Sequence, residues 1–300
     1  MYTKAFITVF TPAYNRAHTL PRTYESLKKQ DTKNFEWLVV DDGSKDNTRE
    51  LVQGWIDSET EFKIRYIYKE NGGMHTAYNT AYENIDTELS ICIDSDDCLA
   101  DGAIRKIYNH WQQVKYKGYA GIIGLDADFS GRVIGKPFDT GLIETTFLDY
   151  YGNGGQGDKK FVYRTDVIKE YPPYPEFSGE HYVGLSCKYA LIDQDYKLSV
   201  LNEVLCDVEY QADGHSNSMF SEYVKNPKGF AYYRKIFMQY PFSTKKLIEY
   251  TIHYISASII GNNKNYISES PRKALTIILT PVGVLLTLYI KHKAKKQMQQ

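Results

Sequence analysis

Short apolar runs and amphipathic stretches alternate along the first part of the chain. Residues 5–10 form an apolar run that Thr11-Pro12 closes, the pattern of a buried strand running into a loop. Residues 19–30 put Leu20, Tyr24 and Leu27 near one helix face, and 35–40 read as a second buried strand ending at Asp41-Asp42-Gly43-Ser44. Asp46-Asn47-Thr48 offers N-caps to a helix carrying Leu51, Val52, Trp55 and Ile56. A third strand over 64–68 leads through Asn71-Gly72-Gly73 into a helix over 74–85. A fourth strand over 89–93 runs into Asp94-Ser95-Asp96-Asp97, and the next helix carries Ile104, Ile107, Tyr108 and Trp111.

Strands of five or six apolar residues between helices of about a dozen predict an α/β unit with a mainly parallel sheet. Such sheets bind ligands along the edge where their strands end, and every polar cluster named above falls there. Beyond residue 120 the pattern is less regular. Strands are predicted at 120–125, 161–164 and 198–208, and helices at 182–191, 228–240 and 244–260. The glycine-rich stretch 152–157 reads as a mobile loop, either an acceptor-side lid or a linker.

Composition narrows the class. With 42% hydrophobic and 24% charged residues among 300, the chain is neither disordered nor collagenous. The formal charge of −1 hides a division. After Glu269 there is no acid, and the last 31 residues carry six basic ones. The preceding body holds 30 Lys+Arg against 37 Asp+Glu. An acidic body argues against nucleic acid as a partner. Cys92, Cys98, Cys187 and Cys206 match no zinc or redox spacing, and the N-terminus lacks a signal-peptide pattern. A reduced, cytoplasmic setting is therefore expected.

The candidate chemistry begins with Asp94, Asp96 and Asp97. Three carboxylates in four residues repel one another unless a cation neutralises them, so a hard divalent ion is their natural partner; helix capping is the bland alternative. Asp41 and Asp42 are ordinary turn formers, or acceptors for a base N–H or ribose hydroxyls. Asn71-Gly72-Gly73 is a plain turn, or bare backbone brought close to a ligand.

Taken together and in this order, Thr11-Pro12-Ala13-Tyr14-Asn15, Val39-Val40-Asp41-Asp42-Gly43-Ser44, Asn71-Gly72-Gly73 and Ile93-Asp94-Ser95-Asp96-Asp97 resemble the catalytic domain of glycosyltransferase family 2. The resemblance covers about residues 5–125 and continues more loosely to about 215. It implies a GT-A fold, Rossmann-like, and an inverting glycosyltransferase, a hexosyl- or N-acetylhexosaminyltransferase. Thr11, Pro12, Ala13, Tyr14 and Asn15 would line the nucleotide-sugar pocket with Asp41, Gly43, Asn71, Gly72, Gly73 and Ser95. Asp42 would meet the uracil or ribose. Asp94 and Asp96 would flank the ribose and the diphosphate, with Asp96, helped by Asp94, holding Mg²⁺ or Mn²⁺. His215, in the loop 213–218, would donate to the diphosphate.

The general base is expected in the second half. Glu180 stands after the stiff segment 171–176, where the family places an acidic residue before a helix; Asp193 and Asp213 are weaker candidates. The alternative for Glu180 is a residue complementing a helix dipole. The expected domains are 1–218, with a nucleotide half (1–125) and an acceptor half (126–218), and a helical extension over 219–300.

The tail is the last clue. Residues 274–290 carry no charge and are flanked by basic residues on both sides, but Pro281, Gly283 and three threonines interrupt them. That is borderline for a spanning helix. A helix or broken helix lying on the cytoplasmic face of the membrane through 271–300 is expected, with a helix packed on the body as the alternative. The resulting expectation is sugar transfer from a nucleotide sugar, UDP-linked, to a glycan or lipid-linked glycan acceptor in polysaccharide biosynthesis. A sugar-phosphate nucleotidyltransferase fits less well, because 11–16 lacks the glycine-rich basic loop of those enzymes. A non-catalytic nucleotide-sugar-binding scaffold is the remaining alternative.

Overall fold

The computed structural model describes residues 5–209 and 219–297. The chain divides into two compact units, one from 1–173 with 192–209 and one from 174–191 with 210–300.

The first unit opens with β1 (Ile7–Ala13), α1 (Leu20–Lys28), β2 (Phe35–Asp41), α2 (Thr48–Ser58), β3 (Lys63–Tyr68), α3 (Met74–Asn84), β4 (Leu89–Cys92), β5 (Cys98–Leu99) and α4 (Ala103–Val114). It continues with β6 (Gly121–Asp128), β7 (Glu144–Thr145), α5 (Phe147–Gly152), β8 (Lys159–Arg164) and α6 (Thr165–Glu170). After an excursion into the second unit, which α7 (Ser186–Ile192) ends, it closes with β9 (Leu198–Val208). The strands form one sheet in the order β3-β2-β1-β4-β8-β6-β9-β5, with β7 also on β9.

The quartet β3-β2-β1-β4 is wholly parallel, as the alternating pattern predicts. Its neighbour β8 runs antiparallel to both β4 and β6, so the second half of the sheet is mixed. β1 does not stop at Thr11-Pro12 but runs on to Ala13 beside β2. Its pairing with β4 ends at Phe10, so Pro12 sits where only one flank of the strand is occupied, and its missing N–H costs no ladder bond there.

Both faces of the parallel quartet are covered. Ile7, Val9, Phe35, Trp37 and Val39 belong to a fully buried cluster with Leu20 and Leu27 of α1, Val52 of α2, and Ile104 and Trp111 of α4. The alternate position Phe10 meets Tyr78 and Tyr82 of α3 edge-on, at 5.0 and 5.5 Å between ring centres. Period-two alternation along β1 and β2 thus sends successive residues to opposite helical layers.

The second unit contains α8 (Met219–Lys225), α9 (Pro227–Gln239), α10 (Thr244–Ile260), α11 (Tyr266–Glu269) and α12 (Lys273–Gln297). It also takes in 174–191, which sequence reasoning placed with the acceptor half. Tyr174 Oη donates to Leu185 O (2.9 Å), and Gly184 lies so close beneath Tyr233 that a Cβ would come within 2.3 Å of its ring. The helix expected over 182–191 begins only at Ser186.

α12 is one continuous helix through Pro281, and its sides are inverted relative to an ordinary surface helix. Thr276, Gly283, Thr287, Ile290 and Ala294 are buried. A Cβ at Gly283 would sit 2.4 Å from Ile255 Cγ2 of α10, and the hydroxyl oxygens of Thr287 and Ser256 are in hydrogen-bond contact at 3.1 Å. Ile277, Ile278, Val282, Leu285 and Leu288 point outward, with Ile278 71% and Leu285 66% exposed. Among the described residues, α12 is the helix long and apolar enough to cross a membrane by length and composition.

Candidate active site

Because β1, β2 and β3 are parallel, the loops that follow them emerge on one edge of the sheet, and one buried carboxylate joins them. Asp42 Oδ1 accepts from Lys69 Nζ (2.7 Å) and the Gly72 N–H (3.0 Å). Its Oδ2 accepts from the Gly73 N–H (2.7 Å) and Asn71 Nδ2 (3.1 Å). The Asp42 N–H donates to Ala13 O at 2.8 Å, tying in the end of β1. Asp41, also buried, accepts from the Ser44 N–H (2.7 Å) and the Tyr66 hydroxyl. Gly43 has φ +85°, and a Cβ there would lie 2.7 Å from Asn71 N, so both its conformation and its closeness exclude other residues.

The β1 and β2 loops are stitched a second time. The Asn15 N–H donates to Ser44 Oγ and Asn15 Oδ1 accepts from the Lys45 N–H, both at 2.8 Å; Asn15 adopts φ +55° to do so. Thr11 points inward, where its Oγ1 accepts from Trp37 Nε1 (3.0 Å); Pro12 and Ala13 are buried beside it. The accessible parts of this body are the exposed Tyr14 and Asn71 and the partly exposed Asn15, Gly72 and Gly73. Sequence reasoning found Asp42 but not Lys69, which follows β3 without any motif around it.

The acid turn after β4 is held from below by α1. The Asp97 N–H donates to Asp94 O (3.0 Å). Thr23 Oγ1 donates to Asp97 O (2.8 Å) and, more weakly, to Ser95 O, while Arg22 Nη2 donates to Asp96 O. The guanidinium of Arg22 is itself fixed by Glu209 (2.7 Å) and lies over the ring of Phe129. Cys92 and Cys206 turn their thiols toward Asp94 and Asp97. Asp94 and Asp96 stay partly exposed while Ser95 and Asp97 are buried.

Two residues that the sequence did not flag complete this cluster. Asp126 from β6 is buried, and Lys160 from β8 approaches it at 3.9 Å. Burial pushes the Asp97 carboxyl up to about 8 and the Asp126 carboxyl to about 6; the Lys160 charge opposes both shifts, and neighbouring carboxylates add to them. Asp94 is raised as well, by burial and by Asp96, again against Lys160. Burial works against the Lys160 ammonium, but Asp126, Cys206, Asp97 and Asp94 hold it charged.

Asp94, Asp97 and Asp126 therefore all face Lys160, with Arg16 acting more weakly on Asp94, Lys159 on Asp126, and Asp96 standing beside them. Among the described residues they do not converge as a ready-made ligand set. The fit to a divalent ion lies in the charge: excess negative potential around hard oxygen donors, two of them accessible, is what Mg²⁺ or Mn²⁺ would neutralise.

The sequence matches the profile described as glycosyl transferase family 2 over residues 8–171, more than half of the chain. The chain belongs to glycosyl transferase family 2. It is 31% identical over 163 residues to the glycosyltransferase GlyG of Streptococcus pneumoniae, covering 52% of each chain. It is 28% identical over 153 residues to the GalNAc(5)-diNAcBac-PP-undecaprenol beta-1,3-glucosyltransferase of Campylobacter jejuni, covering 47% of each. The chain thus spans about half the length of these curated relatives. Among solved structures, it resembles S. aureus TarS 1–349 in complex with UDP-GlcNAc. The TM-score is 0.59 at 19% identity, over 97% of this chain and 88% of that one. It also resembles the mannosyltransferase PcManGT of Pyrobaculum calidifontis with GDP-Man and Mn²⁺. There the TM-score is 0.55 at 15% identity, over 99% and 85%. These likenesses show the GT-A-type fold.

The remaining family-2 candidates sit differently. Glu180 belongs to the helical unit, where its carboxylate accepts from the backbone N–H groups of Lys228 (2.9 Å) and Gly229 (3.0 Å). It thus complements a helix start, as the bland reading had it, but that of α9 rather than of its own segment. Its oxygens keep further lone pairs beyond these bonds. Asp193 caps α5 through the Phe147 and Leu148 N–H groups (3.2 and 2.7 Å). His215 and Asp213 lie outside the described residues. The stretch 152–157 is anchored: buried Lys159 Nζ donates to the carbonyls of Ile134, Gln156, Gly157 and Asp158 at 2.7–3.3 Å.

Asp42→Ala should strand Lys69 and the Gly72 and Gly73 N–H groups, destabilising the protein by about 3 kcal/mol in urea unfolding. It should also weaken nucleotide binding at least tenfold by calorimetry. Asp193 makes a pH prediction. Burial raises its carboxyl to about 7, against the two N–H bonds it accepts. The folded state then binds more protons than the unfolded one between about pH 4 and pH 7. Its contribution to stability is full below that window and is lost as pH rises through it. Melting temperatures measured from pH 5 to 8 should fall less steeply in Asp193→Asn than in the wild type.

Proposed function

We propose that the chain is an inverting glycosyltransferase that moves a sugar from a nucleotide-diphosphate sugar, UDP-linked, to a hydroxyl of a glycan or lipid-linked glycan at the cytoplasmic membrane surface. The observation that carries this reading is the joining of the three strand-end loops through Asp42, beside a turn in which Asp94 and Asp96 are partly exposed and repel one another. The names of the relatives support it: one is a glucosyltransferase named for an undecaprenol-linked glycan, and TarS was solved with UDP-GlcNAc.

In this reading Tyr14, Asn15, Asn71 and the bare backbone of Gly72 and Gly73 receive the nucleotide, with Asp42 fixing their positions. Asp94 and Asp96 would hold the divalent ion, which as a Lewis acid offsets charge on the departing diphosphate. The acceptor oxygen bonds to the anomeric carbon as the bond from that carbon to the diphosphate breaks. The hydroxyl proton passes to a carboxylate, proposed to be Glu180, and no covalent glycosyl-enzyme forms. The outward aliphatic face of α12, with Lys291, Lys293, Lys295 and Lys296 beyond it, would lie in an anionic leaflet.

A nucleoside-diphosphate release screen over UDP, GDP and dTDP sugars, with and without Mn²⁺, tests the activity. Asp96→Ala should remove metal-dependent release while leaving the melting temperature near wild type. Glu180→Gln should keep donor binding but reduce transfer at least a hundredfold; normal turnover would move the base elsewhere. For the membrane, Ile278→Ser with Leu285→Ser and Leu288→Ser should shift the protein from pelleted phosphatidylglycerol vesicles to the supernatant. Undiminished pelleting would assign attachment to another surface.

A further inference from the structure

The helical unit contains a cavity of about 390 Å³ that the transfer reading does not use. Phe177, Tyr232 and Tyr254 supply its aromatic walls, and Lys228, Lys235 and Ser258 its main polar groups. Its volume lies within the range of small-ligand sites. Lys228, Ala231, Tyr232 and Lys235 follow one another at the i, i+3, i+4, i+7 spacing, so α9 turns a single face to the cavity with an ammonium at each end.

The two ammonium groups have no ion-pair partner among the described residues. Glu269, the one carboxylate on the lining, is engaged by Asn263 Nδ2 at 3.1 Å. Ser258 adds an independent observation. It is 2% exposed, it lines the cavity, and its hydroxyl, beside that of Tyr254, makes no well-formed hydrogen bond. The Tyr254 hydroxyl on the same wall donates to Tyr266 O (2.8 Å) instead. A buried hydroxyl left unpaired costs free energy that a ligand oxygen would recover.

We infer that this cavity binds a phosphate ester carried on an apolar chain, with the phosphate between Lys228 and Lys235 and the first carbons of the chain against Phe177, Tyr232 and Tyr254. Two lysines with no ion-pair partner match a phosphate, doubly charged as a monoester or singly charged as a diester, which accepts from ammonium groups as point charges. Aromatic walls with a single buried hydroxyl suit an apolar chain and a bridging oxygen, not a sugar, which would need many polar partners. An isoprenoid phosphate and a membrane phospholipid share this chemistry. The inference rests on the helical unit alone and does not depend on the transferase reading.

The test uses the full chain in phosphatidylcholine nanodiscs, with empty discs as blank, and titrates geranyl phosphate by calorimetry. Geranyl phosphate should bind at least tenfold more tightly than geraniol. Lys235→Gln should weaken it about tenfold, the loss of one charge-assisted contact, and Lys228→Gln with Lys235→Gln more. Ser258→Leu, which fills the cavity, should abolish binding, while Lys235→Gln on the helix surface keeps the test valid if that variant misfolds. Dihexanoyl phosphatidylglycerol binding as well as geranyl phosphate would make the ligand a general phospholipid; much weaker binding would make it an isoprenoid phosphate. Equal affinity for geraniol, no affinity for either phosphate, or binding unchanged by the lysine substitutions would overturn the inference. Donor-sugar binding, measured in parallel, should be unaffected by Lys235→Gln, so its loss would reflect a different failure.

Discussion

The architecture of the candidate site depends on one buried carboxylate. A parallel sheet gathers the ends of β1, β2 and β3 on one edge, but strand order alone leaves three independent loops there. Asp42 turns them into one body by accepting from a side-chain ammonium, a side-chain amide and two backbone N–H groups while its own N–H reaches back to β1. A buried carboxylate is costly without such partners, and this one has nearly its full complement. The same constraint fixes Gly43, because the backbone of Asn71 lies against its Cα, and sets the left-handed conformation at Gly73 from which α3 starts.

The acid turn obeys the opposite logic. There the partners of the carboxylates are few: Asp94, Asp97 and Asp126 and the thiols of Cys92 and Cys206 crowd the ammonium of Lys160, and Asp96 stands beside them. What holds the turn is not its charges but its backbone, clamped by Arg22 and Thr23 from α1. Separating the two tasks matters chemically. Backbone bonds fix where the carboxylates stand, which leaves their oxygens available, and the unbalanced charge favours an incoming cation. Asp42 is nearly saturated; Asp94 and Asp96 are held in place and keep oxygens to spare.

This division also explains what could be read in advance. The strands and helices of the parallel quartet were legible because burial on both faces produces continuous apolar runs, and the strand-end acids fell in a recognisable order. Pro12 misled because its cost depends on whether β4 still flanks the strand, a matter of register that no local pattern carries. Lys69, Lys160 and Asp126 act through contacts spanning 27 or more residues and look like any charged residue of a strand or loop. For Glu180 the residue type was noticed but its partner was not, since the helix start it caps lies 48 residues further along the chain. Segment 174–191 was assigned by sequence continuity, whereas its close packing at Gly184 and Gly229 belongs to the helices that follow.

The tail shows the same dependence on surroundings at the scale of a whole helix. In water α12 would be expected to bury its isoleucines and leucines and expose its threonines; instead Thr276 and Thr287 are buried and Ile277, Ile278, Leu285 and Leu288 are exposed, Ile290 alone among its isoleucines lying inside. Gly283 lets its backbone approach α10, and Thr287 and Ser256 satisfy each other between the helices. Small residues and paired hydroxyls at the contact, with aliphatic chains outside, are the packing used where the surrounding medium is itself apolar, because burying a leucine against a neighbour then gains little. Pro281 and the threonines, which made 274–290 look too interrupted to be a spanning helix, fit this arrangement: the hydroxyls of Thr276, Thr280 and Thr287 bond to backbone carbonyls one turn earlier, so none competes for the outer face. The near-zero net charge of the chain is then the sum of two separate requirements: an acid-rich sheet edge suited to a cation and a nucleotide, and a basic end beyond a helix whose outer face is suited to lipid.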